Sequence, residues 1–104
     1  MTRHANIWGV YEIESVPSQP QMAHCHAFFV YPAMRGMGNG HRLKASQNQT
    51  LHALGYSYAQ CAVDSSNTAQ IKVLAKAGWR MRDDFSNAKT GSIIQVWGWE
   101  VRAV

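Results

Sequence analysis

Charge is scarce in this chain of 104 residues: only 15% are Asp, Glu, Lys or Arg, and only six are acidic. Set against an apolar share of 46%, that scarcity excludes a disordered polyelectrolyte and leaves a packed domain. Ten Lys and Arg raise the net charge to +4, a mild attraction for phosphates or acidic partners. The basic residues form no cluster, and no RNP-like or helix-turn-helix pattern accompanies them, which disfavours a nucleic-acid binder. Hydrophobic runs are short, none approaching the ~20 residues of a membrane span. The opening MTRHANIWGVYEIE holds no apolar stretch of signal-peptide length. Two cysteines, Cys25 and Cys61, are too few for a disulfide scaffold or a four-ligand zinc site. These counts describe a reduced, cytoplasmic protein with one domain over residues 1–104.

No repeat or linker divides the chain. Ile7 to Val16 mixes β-branched and aromatic residues with polar ones and predicts a strand, closed by the Pro17-Ser18-Gln19-Pro20 turn. Ala23 to Tyr31 predicts a second, more central strand that Pro32 ends. A glycine-rich stretch follows, then about fifteen residues of weakly amphipathic helix carrying Leu43, Leu51 and Leu54, with Gly55 as the stop. Tyr56 to Val63 predicts a third strand, and Asp64-Ser65-Ser66-Asn67 supplies turn and N-cap chemistry. From Thr68 the spacing of Ile71, Leu74 and Ala75 is helical up to Gly78. Trp79 to Phe85 and Ile93 to Val101 pair as a hairpin. The order β-β-α-β-α-β-β requires a right-handed parallel crossover in the middle and antiparallel flanks, a mixed-sheet α/β (α+β) domain.

The most informative segment runs from Val30 to Gly40. Glycines at 36, 38 and 40 remove Cβ atoms where a strand hands over to a helix, so main-chain N–H groups can approach a ligand. With the positive end of the following helix they make an anion site suited to a pyrophosphate, and Arg35, Arg42 and Lys44 add charge there. A tight turn without ligand uses the same residues. A Walker A loop fails because His41-Arg42 follow Gly40, and a Rossmann fingerprint fails because the spacing is G-x-G-x-G.

The segment resembles the acetyl-CoA motif of the GNAT superfamily of N-acetyltransferases, V-x-P-x-x-R/Q-x-x-G-x-G/A, matched by Val30, Pro32, Arg35, Gly38 and Gly40. A second GNAT signature is similar to Asn67 through Trp79, with Ile71, Val73, Lys76 and Gly78 in place. The resemblance covers residues 24 to 79 and implies the following. Main-chain groups of Phe28, Phe29 and Val30 pair with the pantetheine arm, amides of Gly36, Met37, Gly38, Asn39 and Gly40 hold the pyrophosphate, Arg35 shapes the turn, and Asn67 lies near the pantetheine or the acetyl end. Acetyl-CoA is the implied co-substrate, with no metal, and a primary amine is the acceptor.

Two departures matter. The tyrosine that the family uses as general acid is replaced by Leu74, leaving Tyr31, Tyr56 and Tyr58 as substitutes. The carboxylate base that the family often carries on the strand before the glycine turn is missing, and His24 and His26, two apart on one strand face, stand as base candidates. Glu12 and Glu14 also share a face and read as polar alternation. His24, Cys25 and His26 alternate faces, which argues against metal. The resemblance also implies a short member without the usual first strand and two helices. Its acceptor site is then open and suited to a protein side chain, or is completed by a homodimer through the Trp97/Trp99 strand, whose rings equally suit burial against the second helix. The alternative function is a weak or inactive acyl-CoA-binding module that acts through a protein partner.

Overall fold

The structure is a computed structural model and describes residues 1–103. Its first strand, β1 (Thr2–Ala5), is an addition to the expected order. The run read as one strand from Ile7 begins instead at Gly9, because Asn6 bends the chain. Its side-chain oxygen accepts from the N–H groups of Trp8 and Gly9 at 2.9 and 3.3 Å. Such an Asx turn lets a four-residue polar strand fold back on β2 (Gly9–Val16). β2 then pairs antiparallel with β3 (Gln19–Val30) across the Pro17-Ser18 turn.

Beyond β3 come a 3-10 turn (Pro32–Met34), helix α1 (Asn39–Ala53), β4 (Tyr58–Asp64), helix α2 (Thr68–Lys76), β5 (Arg80–Ser86) and β6 (Ile93–Glu100). The sheet order is β1-β2-β3-β4-β6-β5. β3 and β4 are parallel, as a strand–helix–strand crossover requires, and every other pairing is antiparallel. The mixed α/β class and both helices therefore stand as the sequence indicates.

Alternation along the strands sends Tyr11, Ile13, Ala23, Cys25, Ala59, Cys61, Trp97 and Trp99 to one face, where Leu43 and Leu51 of α1 and Leu74 of α2 cover them. Each of those buried leucines contributes about 1.5–3 kcal/mol. Leu54, expected on the α1 apolar face, is exposed beyond the last turn. What α1 buries is Leu43, Lys44, Gln47, Asn48 and Leu51, a helical stripe whose middle is polar. The stripe is tolerated where its polar atoms have partners: Asn48 accepts from Trp79 Nε1 at 2.9 Å and donates to the Ala77 carbonyl at 3.2 Å.

Trp97 and Trp99 are 8% and 2% exposed. Trp99 stacks on Trp79 at 6.1 Å and lies against Gly78 beyond the end of α2, so this strand offers no aromatic face to a second copy. Burial against the helix side is therefore the reading of this strand that holds. Replacing Asn48 with Ala strips the buried Trp79 N–H of its acceptor, and such an orphan costs roughly 1–3 kcal/mol. We expect Asn48→Ala to lower the melting temperature by on the order of 10 °C in a calorimetric scan.

Candidate functional site

β3 and β4 pair over only three positions, Met22 to His24 against Tyr58 to Gln60. After them β3 stays with β2 and β4 stays with β6, so the two parallel strands diverge. A bulge in β3 helps to set the divergence. Between the pairs Glu12/His26 and Val10/Phe29, β3 spends one residue more than β2, and Ala27 takes a left-handed φ of +54°. The bulge also inverts the side-chain parity. Phe28 and Val30 turn to the helix side and line the gap, whereas Phe29 turns out under the Arg35 guanidinium, 5.0 Å from its ring centre.

The glycine turn closes the outer end of this gap. Gly36 and Gly38 have φ of +81° and +74°, a conformation only glycine adopts readily, and a Cβ on either would meet nothing within 4 Å. Gly40 has a different reason: its Cβ would stand 3.3 Å from Val73 of α2, so it lets the helices approach. Side chains hold the loop's shape. Arg35 Nε donates to the Val30 carbonyl (3.0 Å), Asn39 Nδ2 to the Met34 carbonyl (2.8 Å), and Arg42 to Met37 O and Asn39 Oδ1 (3.0 and 2.7 Å). Gly38 is the N-cap and caps nothing. Among the described residues, the main-chain N–H groups of residues 36–41 have no protein acceptor. Gly36, Gly38, Asn39 and Gly40 of this run line a cavity of about 590 Å³, whose other walls include Phe28, Val30, Asn67 and Gln70. Asn67 caps α2 by accepting from the Gln70 N–H at 3.2 Å. Met37 points away from this cavity.

A second cavity, about 250 Å³, continues inward between the diverging strands and shares Phe28, Asn67 and Gln70 with the first. Its lining includes Cys25, Cys61, Lys44, Gln47 and His26. Burial pushes both thiols up, Cys25 to about 12, so neither is an active nucleophile at neutral pH. Asp64 stands on the rim, its carboxyl held below the ordinary value by the N–H and hydroxyl of Ser66.

On the helix-free face of the sheet, His24 and His26 stack with ring centres 5.7 Å apart. His26 stands between two carboxylates, with Nδ1 3.6 Å from Glu12 and Nε2 3.5 Å from Glu14. Its Nε2 is buried with no hydrogen-bond partner. Glu12 and Glu14, read from the sequence as simple polar alternation, therefore belong to this cluster: antiparallel pairing sets them opposite His26 and His24. Burial first, and then the neighbouring His26, holds His24 below the ordinary histidine value, with Glu14 opposing. The three tyrosines considered as general acids lie elsewhere. Tyr56 hydrogen-bonds Ser15, the Tyr58 hydroxyl fills the space of a Gly98 Cβ, Tyr31 packs on Phe29, and none lines either cavity.

The arrangement has close parallels among solved structures. A Bacillus subtilis acetyltransferase in complex with CoA superposes with a TM-score of 0.75 at 16% identity, over 91% of this chain and 70% of that one. The ribosomal-protein-S18-alanine N-acetyltransferase of Escherichia coli gives 0.73 at 15%, over 91% and 62%. An acetyltransferase of the GNAT family from Streptococcus pneumoniae gives 0.76 at 13%, over 91% and 60%. This is the GNAT fold. The chain thus spans between 60% and 70% of the length of these GNAT structures. No family model and no curated protein matches the sequence.

The His24 shift sets a sign for pH dependence. Its folded value lies below 6.5, so between the two values the unfolded chain binds more protons and stability rises with pH. Acidification below 6.5 therefore destabilises the fold through this group. Urea titrations from about pH 5 to 8 should show a shallower slope in His24→Gln than in the wild type; equal slopes would contradict the assignment.

Proposed function

We propose that the chain is a GNAT-superfamily acyltransferase that moves the acyl group of an acyl-CoA, of which acetyl-CoA is the simplest, to a primary amine. The observation that carries this reading is the run of main-chain N–H groups at residues 36–41, unspent at the positive end of α1 and opening on a cavity that leads inward to His26. A pyrophosphate fits those donors. The pantetheine arm then runs beside Phe28 to Val30, where β3 has lost its β4 partner, and past Asn67. CoA-bound relatives of the same fold support the assignment.

The acceptor amine enters from the helix-free face. There Glu12 and Glu14 attract a cation, and His26 accepts a proton as the nitrogen attacks the thioester carbonyl. The two carboxylates hold the ring in place and face the charge it gains. His24, stacked on His26, is the secondary candidate. Because this face carries no covering helix among the described residues, a protein or peptide side chain is the acceptor it suits best. An Escherichia coli enzyme of this fold is named for a ribosomal-protein acceptor. A thiolate is a far better leaving group than an alkoxide and can depart without obligatory protonation, so Leu74 in place of a tyrosine does not bar turnover.

Leu74, buried in the core, also favours a second reading, an acyl-CoA-binding module acting through a protein partner. Turnover of acetyl-CoA with an amine and peptide panel decides between them. Calorimetry should show CoA binding to the wild type and none to Gly38→Glu, whose side chain would project among the unspent amides. The left-handed strain of that variant is only about 1–2 kcal/mol, so it should stay folded. Its retained affinity would contradict the assignment. His26→Ala should lower kcat about 100-fold or more at neutral pH with CoA affinity unchanged.

A further inference from the structure

Lys44 is the most unusual residue of the core. It is 1% exposed, and among the described residues no carboxylate lies within 4.0 Å of its Nζ, the recorded ion pairs being those of His26. Nζ donates to Gln47 Oε1 at 2.6 Å and sits 3.9 Å over the Trp79 ring and 5.2 Å from that of Phe28. Gln47 is fully buried, and among the described residues its Nε2 has no partner. Both residues line the inner cavity.

A buried cation and a free buried amide donor are each costly when unmatched, and here they stand side by side. Resting on the CoA reading above, we propose that Lys44 and Gln47 form the acyl subsite and select an acyl chain that ends in a carboxylate, such as malonyl or succinyl, over acetyl. An acetyl group offers this end of the cavity a methyl, which satisfies neither donor. A terminal carboxylate offers two acceptor oxygens, one for the ammonium and one for the amide.

The remaining walls agree. Phe28 and Trp79 flank the ammonium with ring faces, and the Cys25 and Cys61 thiols are neutral, so nothing inside competes for the cation. Asp64, the one carboxylate in the lining, is occupied by Ser66. Desolvation lowers the pKa of Lys44 in the unliganded protein, and a carboxylate brought beside it favours the charged form again.

Calorimetry with CoA, acetyl-CoA and succinyl-CoA tests this on the wild type, Lys44→Met and Gln47→Leu. Succinyl-CoA should bind the wild type about tenfold or more tighter than acetyl-CoA, the scale of one charge-assisted hydrogen bond. Lys44→Met should abolish the preference and Gln47→Leu should reduce it, each with CoA affinity unchanged. Equal affinities in the wild type overturn the proposal without any variant, and so does a preference that survives Lys44→Met. Loss of CoA binding by the wild type itself is a separate result, and it refutes the acyltransferase reading instead.

Discussion

The divergence of β3 from β4 is the constraint on which the rest of the molecule turns. Two parallel strands that stayed paired over their full length would leave no gap for a ligand and no free strand edge beside it. Here pairing stops after His24 and Gln60, and the Ala27 bulge adds a residue that bends β3 away and inverts its side-chain order. A left-handed alanine costs about 1–2 kcal/mol, held in place by the β2 ladder on either side of it. Phe28 and Val30 reach the groove only because of that inversion. The glycine turn that follows is then aimed across the gap at the N-terminus of α2, and Asn67 meets both cavities.

α1 embodies a compromise between stability and this opening. A helix covering a mixed sheet is most stable with an apolar stripe, yet this one buries Lys44, Gln47 and Asn48. Asn48 has both its polar ends matched and tethers the Trp79 region. Its neighbour Gln47 and, one turn earlier, Lys44 face the inner cavity, and there the match is incomplete: Gln47 Nε2 is unpartnered among the described residues and Lys44 Nζ has no carboxylate beside it. The polar residues of α1 thus divide by position, satisfied where the sheet is closed and unsatisfied where it splits.

Much of this was legible from residue types with strong local preferences. Glycines that stop helices, Asn67 as an N-cap, the Pro32 break and the glycine turn announce themselves without tertiary context. β1 was hidden because a four-residue polar strand has no hydrophobic signature, and the Asn6 turn that creates it lies inside an apparent run of strand residues. The bulge had no signal, since alanine is not a residue that marks a left-handed backbone. Glu12 and Glu14 looked like surface alternation because their meaning depends on register: only pairing with β3 places them beside His26. Lys44, read from the sequence as charge at the glycine turn, is instead buried beside the inner cavity, because its place on α1 follows a helical phase that polar residues obscure.

Register and divergence together also explain why the two faces of the sheet carry different chemistry. The helix side of the gap presents amide donors and a buried ammonium, a setting for anions and carbonyl oxygens. The opposite side presents Glu12, Glu14 and two histidines, a setting for a cationic amine and its proton. Within a continuous sheet these sets would be separated by a full layer of paired backbone. Where the strands part, His26 borders the inner cavity while its ring remains in reach of the carboxylates of β2. In the proposed reaction a donor entering along the helices and an acceptor approaching the helix-free face would meet through the opening from opposite sides, an alignment that favours attack on a carbonyl.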